Sequence, residues 1–500
     1  MALVLEGITK RFPGVIANDD VSLSVAPGEV VALLGENGAG KSTLMNILYG
    51  LYSADEGKIT IDGQEMTFDS SADAIAAGIG MVHQHFMLVP VFTVTENVVL
   101  GQEPTRFGGM IDRETARDTV MNISERYNLR VDPDALIENI SVGVQQRVEI
   151  IKVMNREAQF VIFDEPTAVL TPQEVEEFFG ILEGLKADGK GIVFITHKLG
   201  EAIRVADRIV VMRGGKVVGE ALPADTTQQD LANMMVGRSV DLTVSKATAS
   251  PGDLVLEVRD LVVLDSRNVK AVDGVSFDVR AGEIVGIAGV QGNGQTELIE
   301  GITGLRPVMS GSVRMGPADI TDALPRDLHQ LGVSHIPEDR QGSGLVLDFS
   351  VMENLILDSY YDRPFSRGVV MEWVATRETA QDLVTQYDVR TPGVDVPVST
   401  LSGGNQQKVI VAREFAREVE LVIAAQPTRG IDVGSIEYIH NQIVAKRDAG
   451  AAVLLVSSEL DEVRALADRI IVLYHGRVAG EFAPDAEVTD IGLAMLGSAP

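Results

Sequence analysis

The sequence predicts an α/β protein built from two similar domains, each with a largely parallel β-sheet. Three observations carry this prediction: a length of 500 residues, a long internal repeat, and short apolar runs that alternate with longer stretches of helical character. At roughly 150 residues per domain, such a chain is too long for a single ordinary core. Glycine-bounded apolar runs that alternate with helical stretches are typical of parallel sheets.

The composition indicates a globular chain. Hydrophobic residues make up 45% and charged residues 23%, and cysteine is absent, which excludes disulfides, thiolate zinc sites and a cysteine nucleophile. The net charge of −30 opposes the phosphate backbone of nucleic acid, so we expect no nucleic-acid partner. The apolar runs fall far short of the ~20 residues of a membrane-spanning helix, and the start of the sequence lacks the order of a signal peptide. We therefore expect a soluble cytoplasmic protein with no direct membrane span.

The repeat divides the chain into two halves. Residues 21–43 return at 275–297, which is an offset of 254, whereas the stretches after position 140 return at an offset of 261. The second copy is therefore longer by 261 − 254 = 7 residues in its middle. The turn-rich stretch 241–252 is predicted to be a linker, which gives domains 1–240 and 253–500.

The apolar runs locate the main strands of the first half. We predict buried strands at Val30–Gly35, 160–165 and Gly191–Thr196, and a mainly helical subdomain at 87–157 with its counterpart at 341–417. Open α/β sheets bind ligands at the carboxyl ends of their strands. The functional residues are therefore expected there.

The first predicted strand runs into the pattern G-x-x-x-x-G-K-[ST] at residues 35–42. Glycines let backbone N–H groups converge on phosphate oxygens, Lys41 can neutralise the β- and γ-phosphates, and the Ser42 hydroxyl can bind Mg²⁺. The alternative is a glycine-rich turn without a ligand. The sequence predicts an ATP cradle made by Gly35, Glu36, Asn37, Gly38, Ala39, Gly40, Lys41, Ser42 and Thr43.

The second predicted strand ends in two acids, Asp164 and Glu165. Asp164 can hold Mg²⁺ directly or through water, and Glu165 can polarise the water that attacks the γ-phosphorus. Adjacent acids are common on protein surfaces, but after a phosphate loop they indicate ATP hydrolysis.

A third motif makes the chain resemble the ATP-binding-cassette (ABC) family over almost its whole length. The LSGGQ-like signature of that family is matched in each half of this chain. The second half has LSGGNQQK, with Ser402 placed 24 residues before Gln426, and the first half has ISVGVQQR, with Ser141 placed 24 residues before Glu165. In such cassettes the signature begins a helix that faces the γ-phosphate held by an opposing cassette. The resemblance implies two tandem P-loop ABC ATPase domains, each with a RecA-like mixed-sheet core, an antiparallel β subdomain and a helical subdomain.

The resemblance also implies roles for three further residues of the first half. Gln84 corresponds to the glutamine that touches Mg²⁺ or the attacking water, His197 to the switch histidine that contacts the γ-phosphate, and Phe12 to the aromatic residue that stacks on adenine. The alternative for His197 and Phe12 is a packing role. The catalytic set is thus Lys41, Gln84, Glu165 and His197, and the metal set is Ser42, Gln84 and Asp164.

The halves differ at these chemical positions. In the second half Lys41, Gln84, Asp164, Glu165 and His197 are replaced by Gln295, Glu338, Ala425, Gln426 and Ser458. Conversely, the first signature has Val142 and Val144 where the second has Gly403 and Asn405, and Thr171 stands in place of Asp432. Because the resemblance implies head-to-tail pairing, we expect one competent composite site, completed by Ser402, Gly403, Gly404 and Asp432. Whether the second cradle binds nucleotide or is only a scaffold is left open.

The resemblance extends to the energy-coupling ATPase of bacterial importers, nearest the nucleoside branch. It implies two integral-membrane permease subunits, a substrate-binding lipoprotein reached through them, and a place on the cytoplasmic face of the cell membrane. The alternative is the same role in a simple-sugar importer. A tandem-cassette translation factor on the ribosome is a remote alternative, opposed by the damaged site, the short linker and the charge of −30.

Overall fold

A computed structural model describes residues 2–83, 86–106, 109–167, 170–240 and 244–497. The chain divides into two compact units, Met1–Val240 and Asp241–Pro500. Both units combine an antiparallel sheet, a mostly parallel sheet and a group of helices, so the α/β prediction is confirmed. No helix formed by these residues is long and apolar enough to cross a lipid bilayer.

The strands of the first unit are β1 (Leu3–Phe12), β2 (Val15–Val25), β3 (Val30–Gly35), β4 (Glu56–Ile61), β5 (Gln64–Met66), β6 (Ile79–Val82), β7 (Phe160–Asp164), β8 (Gly191–Thr196), β9 (Arg208–Arg213) and β10 (Lys216–Ala221). Its helices are α1 (Lys41–Leu48), α2 (Ser71–Ala76), α3 (Val94–Val99), α4 (Arg113–Arg126), α5 (Val142–Asn155), α6 (Pro172–Ala187), α7 (Leu199–Val205) and α8 (Gln228–Val236). Short 3₁₀ turns cover Ile137–Asn139 and Pro223–Asp225.

The larger sheet of the first unit has the strand order β10-β9-β3-β8-β7-β6. All neighbours in it are parallel except the β10–β9 pair at one edge. The smaller sheet, β2-β1-β4-β5, is antiparallel. The predicted strands at 30–35 and 191–196 match β3 and β8, whereas β7 stops at Asp164, one residue early, because Glu165 takes a left-handed φ of 48°.

The central strands are buried on both faces, which explains why they are apolar except at their carboxyl ends, where Asp164 and Thr196 stand. Side chains of a strand alternate between its two faces. Accordingly, Val31 and Leu33 of β3 pack with α1 and the antiparallel sheet, whereas Val30 packs with the core that α5 and α6 share. The parallel strands therefore present their carboxyl ends together at one edge of a sandwiched sheet.

The strands of the second unit are β11 (Leu254–Leu264), β12 (Lys270–Arg280), β13 (Ile284–Ala288), β14 (Val308–Met315), β15 (Ala318–Asp319), β16 (Val333–Ile336), β17 (Ser366–Arg367), β18 (Val370–Met371), β19 (Leu421–Ala425), β20 (Ala452–Ser457), β21 (Arg469–Tyr474) and β22 (Arg477–Phe482). Its helices are α9 (Gln295–Ile302), α10 (Pro325–Gln330), α11 (Val351–Leu355), α12 (Trp373–Gln386), α13 (Gly403–Phe415), α14 (Val433–Asp448), α15 (Leu460–Leu466) and α16 (Val488–Met495). A π-helical turn covers Arg340–Gly344, and a 3₁₀ turn covers Val398–Thr400.

The second unit repeats both sheets, with the orders β12-β11-β14-β15 and β16-β19-β20-β13-β21-β22. Its helical region also contains the hairpin β17–β18, so the prediction of a mainly helical segment at 341–417 missed two short strands. Helix starts show where the extra residues lie. The offset between equivalent helices is 257 at α3 and α11, 260 at α4 and α12, and 261 at α5 and α13. The seven residues are therefore three before α11, three between α11 and α12, in the segment that contains the hairpin, and one between α12 and α13.

A carboxylate holds the start of the central strand in each unit. Asp468 accepts a hydrogen bond from the backbone N–H of Ile284 (2.9 Å) and forms an ion pair with Arg447 (3.0 Å). The Arg447 side chain is almost fully buried and also donates to the carbonyl of Ala247 (2.9 Å). Lys246 pairs with the same carboxylate at 3.1 Å. Lys246 and Ala247, which belong to the predicted linker, are thus attached to the second unit.

We predict that Arg447→Met destabilises the second unit by about 3 kcal/mol, because removal of one partner leaves a buried carboxylate undercompensated. Trp373 is the only tryptophan of the chain and lies in α12, so its fluorescence reports unfolding of this unit in urea. The matched control is Lys186→Met, since Lys186 pairs with the equivalent Asp207 (2.7 Å) in an exposed setting. That change is expected to lower the free energy of unfolding by less than about 1 kcal/mol, as measured by circular dichroism in urea. Equal losses would contradict the buried role of Arg447.

Candidate nucleotide site

The phosphate loop lies between β3 and α1 of the first unit, at the carboxyl edge of the parallel sheet. Gly40 precedes α1 with a left-handed φ of 98°, and a Cβ there would collide with the carbonyl oxygen of Ala17. The buried Asn18 donates to the Gly40 carbonyl at 3.1 Å. The glycine is therefore required by both conformation and space, and strand β2 fixes the loop from outside.

Lys41 is 6% exposed and folds back over its own loop. Its Nζ donates to the carbonyls of Gly35 (2.6 Å) and Glu36 (3.1 Å). Burial lowers the pKa of Lys41, and the charges of Glu165 and Asp164 partly offset this. An ammonium held by carbonyls next to exposed backbone N–H groups is suited to a phosphate chain.

Glu165 follows β7 and pairs with His197, which follows β8. The distance from His197 Nδ1 to Glu165 Oε1 is 3.1 Å. Glu165 also donates its backbone N–H to the carbonyl of Ile195 (3.0 Å), so the left-handed turn is held against the neighbouring strand. The fold thus brings these two predicted residues into contact, although they are 32 positions apart in the sequence.

Burial and neighbouring charges shift the pKa values of the adjacent Asp164 and Glu165 in opposite directions. Burial and the neighbouring Glu165 raise the pKa of Asp164 to about 6, and Lys41 opposes them. Burial also acts to raise the pKa of Glu165, but the hydrogen bond and charge of His197 outweigh it and the net shift is downward. Glu165 is therefore kept ionised, as a group that accepts a proton from water must be.

The residues at the sheet edge fit a magnesium ion. Ser42 exposes its hydroxyl in the first turn of α1, and Asp164 stands partly buried at the end of β7. Hydroxyl and carboxylate oxygens are hard ligands, and Mg²⁺ in nucleotide sites usually adds phosphate oxygens and water to one or two of them. A cation beside Asp164 would relieve the raised pKa of this carboxyl. Gln84, the third predicted metal ligand, lies outside the described residues.

Phe12 ends β1, next to the strand whose residues support the loop. It is partly exposed and meets Tyr52 edge-on, with ring centroids 5.6 Å apart. Lys10 lies 5.7 Å from the same ring. The ring is therefore accessible for stacking from one side, and its contact with adenine stays a prediction.

The sequence analysis missed the residues that support His197. Glu201 accepts hydrogen bonds from Thr167 (2.6 Å) and Thr196 (3.2 Å), and the Thr196 hydroxyl accepts from the backbone N–H of Lys198 (3.0 Å). These contacts fix the backbone on both sides of the histidine. The repeat contained the signal, because Glu462 at the equivalent position accepts from Thr428 at 2.6 Å.

The signature of the second unit begins helix α13. Ser402 is the exposed N-cap residue, and its hydroxyl accepts from the Asn405 side chain (2.9 Å) rather than from the helix backbone. A Cβ on Gly404 would collide with Asp432 and Ser435. Asp432 caps α14 by accepting from the Ser435 backbone at 2.8 Å. Ser402, Gly404 and Asp432 therefore lie together at the starts of two packed helices.

The cradle of the second unit keeps the backbone of the first but has lost its ionisable groups. Gln426 has a φ of 47° and donates its N–H to the carbonyl of Val456 (2.7 Å), as Glu165 does in the first unit. Its side chain pairs with Ser458 at 3.2 Å instead of with a histidine. Gln295 donates to the Val290 carbonyl (3.2 Å), in the manner of Lys41 but without its charge.

Glu338 corresponds to Gln84 in the sequence repeat and links the loop after β16 to two other segments of the second cradle. It accepts from Thr296, the counterpart of Ser42, at 2.9 Å and pairs with Arg429 at 2.8 Å. A cavity of about 620 Å³ opens beside these residues. The carboxylate that could help to hold a metal is thus already engaged by a cation.

A phosphate loop at the edge of a mixed sheet, opposite an acid that pairs with a histidine, defines the class of P-loop nucleotide hydrolases. The family model of ABC transporters matches residues 18–168 and 272–429, more than half of the chain. The chain belongs to the ABC transporter family and is an ATPase of that family. The resemblance seen in the sequence is confirmed.

Relatives match over almost the full length. The nucleoside import ATP-binding protein NupA of Lactococcus lactis is 51% identical, over 98% of this chain and 97% of the relative. The guanosine import ATP-binding protein NupO of Bacillus subtilis is 49% identical, over 100% and 98%. The glucose import ATP-binding protein TsgD13 of Haloferax volcanii is 46% identical, over 99% and 96%.

Among solved structures, the archaeal ribosome recycling factor aABCE1, in complex with the ribosomal stalk protein aP1, is similar with a TM-score of 0.61. The match covers 95% of this chain and 90% of that one. Sequence identity is only 18%, so this likeness concerns the fold alone.

We predict that Glu165→Gln lowers the ATP turnover of the full assembly by at least about 100-fold, because the amide cannot accept a proton from the attacking water. Binding of ATP should persist, since Lys41 and the loop are untouched. The matched control is Gln426→Ala at the equivalent position, expected to keep turnover within about two-fold of the parent. Phosphate release in steady state measures both variants. Turnover above a tenth of the parent in Glu165→Gln would contradict the assignment of the base.

Proposed function

We propose that this chain hydrolyses ATP at one composite site, formed by the cradle of residues 35–43 and by Ser402, Gly403, Gly404 and Asp432 of the other half. The observation that carries the proposal is the contrast between the Glu165–His197 pair and the Gln426–Ser458 pair. Both pairs stand at the same place in the fold, and only the first contains a base. Removal of one oriented polar contact can cost about 10²–10³ in rate, so loss of several removes useful turnover.

In this proposal the cassettes are domains 1–240 and 253–500, joined by the linker 241–252. Lys41 and the loop bind the phosphates, Phe12 stacks on adenine, Glu165 activates water, and His197 contacts the γ-phosphate. Ser42, Gln84 and Asp164 hold Mg²⁺, which when bound neutralises charge on the β- and γ-phosphates. The signature Ser402 and the N-terminus of α13 complete the site, because a helix N-terminus favours an anion.

We further propose that the chain powers the import of nucleosides. The support is full-length identity of 51% and 49% to relatives named for nucleoside and guanosine import. A relative named for glucose import is 46% identical, which keeps a simple-sugar importer as the second candidate. The partners would be two integral-membrane permeases and, through them, a substrate-binding lipoprotein. The chain would lie on the cytoplasmic face of the bacterial cell membrane.

Uptake of labelled guanosine, adenosine and ribose in cells with and without this chain tests the substrate class. We expect nucleoside uptake to be lost and ribose uptake to be unchanged. Loss of ribose uptake with normal nucleoside uptake would favour the sugar importer. Re-expression of the Glu165→Gln chain provides the control, since it should assemble without restoring uptake.

The composite site predicts unequal effects of the two signatures. Ser402→Arg is expected to lower ATP turnover of the full assembly by about 100-fold or more, because a bulky cation replaces the hydroxyl that faces the γ-phosphate. Ser141→Arg changes the equivalent N-cap of α5 and should stay within about three-fold of the parent, since it faces the cradle without a base. Both residues are exposed, so neither change buries a charge. Comparable losses in steady-state hydrolysis would rule out the assignment.

A further inference from the structure

The loop that follows β16 brings three functional segments of the second unit together. It runs from Glu338 to Gly344 and contains a π-helical turn from Arg340 onward. Three of the seven extra residues of the second half lie between the end of β16 and Val346, where this loop runs, because Val346 is already offset by 257 from its counterpart Val89. The loop therefore differs from its counterpart in both length and sequence.

Arg340 clamps the turn that precedes α14. Its Nη1 donates to the carbonyl of Arg429 at 2.7 Å, and its Nη2 donates to the carbonyl of Gly430 at 3.1 Å. Gly430 has a left-handed φ of 67°, and two residues later Asp432 begins the helix. A planar guanidinium that binds two successive carbonyls fixes the orientation of this turn as well as its position.

The same guanidinium lies against the first glycine of the signature. A Cβ on Gly403 would come within 2.9 Å of Arg340 Nη2. The first half has Val142 in place of Gly403 and, at the offset of 254 that holds through β16, Phe86 in place of Arg340, so it lacks both the glycine and the arginine. The arginine thus occurs in the half that has the intact signature.

The rest of the loop is attached to the signature helix. Gln341 Nε2 donates to Gln406 Oε1 at 3.2 Å, and Arg413 Nη1 donates to the Gly344 carbonyl at 2.9 Å. Arg340 Nε is buried and has no hydrogen-bond partner among the described residues. The fold therefore keeps the fork on the two carbonyls although a third donor stays unsatisfied.

We infer that Arg340 is a positioning residue for ATP hydrolysis: its guanidinium holds the turn Arg429–Asp432 against Gly403 at the start of the signature helix. The inference rests on the proposed composite site, to which Ser402 and Asp432 belong. Arg340 itself is not placed in contact with ATP. It sets the relative position of Gly403 and Asp432, which the first half replaces by Val142 and Thr171.

This role predicts an effect on kcat with little effect on KM for ATP. In the proposed composite site, Lys41 and its loop bind ATP, whereas the signature and Asp432 act on the γ-phosphate during hydrolysis. A misplacement of about 1 Å at an oriented group can cost roughly 10²-fold in rate. The expected loss of kcat in Arg340→Ala is therefore about ten-fold to a hundred-fold, with KM within two-fold of the parent. Arg340→Lys should recover only part of this loss, because an ammonium does not reproduce the fork.

The experiment measures kcat and KM for ATP in the full complex with its permeases, and unfolding of the chain by Trp373 fluorescence. The matched control is Arg417→Ala. Arg417 also donates to two backbone carbonyls of the second unit, those of His329 and Val333, but these stand before and at the start of β16 and not in the turn that precedes α14. Its loss should lower stability and leave kcat within two-fold of the parent. Ser402→Arg runs in the same assay.

A kcat within two-fold of the parent in Arg340→Ala would overturn the inference. So would full recovery in Arg340→Lys, or an equal loss of kcat in Arg417→Ala, because any carbonyl clamp would then suffice. If Ser402→Arg abolishes turnover and Arg340→Ala does not, only this inference is wrong. If Ser402→Arg leaves turnover intact, the composite site itself is wrong.

Discussion

The parallel pairing of β3, β7 and β8 is the constraint on which the site depends. Because the strands are parallel and in register, the phosphate loop, the two acids and His197 leave the sheet at one edge. Each strand packs different apolar side chains into the cores on its two faces, so a shift of register by one residue would exchange the two sets and disrupt the packing of both cores. Packing in the core thereby fixes polar groups that are far apart in sequence.

The second unit shows that this scaffold is independent of the chemistry it carries. Gln426 keeps the left-handed turn and the backbone hydrogen bond of Glu165, and Ser458 keeps the place of His197. The positions of Lys41, Asp164, Glu165 and His197 have lost their ionisable side chains. Glu338 has become a structural link to Thr296 and Arg429, and Arg340 attaches the same loop to the signature side. The loop after β16 therefore contributes to two places: Glu338 contacts the second cradle, and Arg340 supports the signature of the same unit.

Sequence reasoning recovered what local pattern and repetition encode. Strands β3 and β8 follow from apolar runs, and the placement of Glu165 and His197 at the carboxyl ends of strands follows from the rule for open α/β sheets. The hairpin β17–β18 was missed because strands of two residues leave no periodic signal. The contacts of Arg340 and Glu201 were missed because they join segments that only the folded chain brings together, although Glu201 repeats at Glu462.

The central claim is that one cradle alone hydrolyses ATP, and the position of the hydrolysed nucleotide tests it most directly. The full complex hydrolyses radiolabelled azido-ATP in the presence of vanadate and is then irradiated, which cross-links the trapped nucleotide to the chain. One sample carries the radiolabel on the α-phosphate and the other carries it on the γ-phosphate, so a trapped product of hydrolysis gives a signal only in the first sample. The account predicts that this pattern, dependent on vanadate, appears only in peptides from residues 1–240. The same pattern in peptides from residues 253–500 would contradict it.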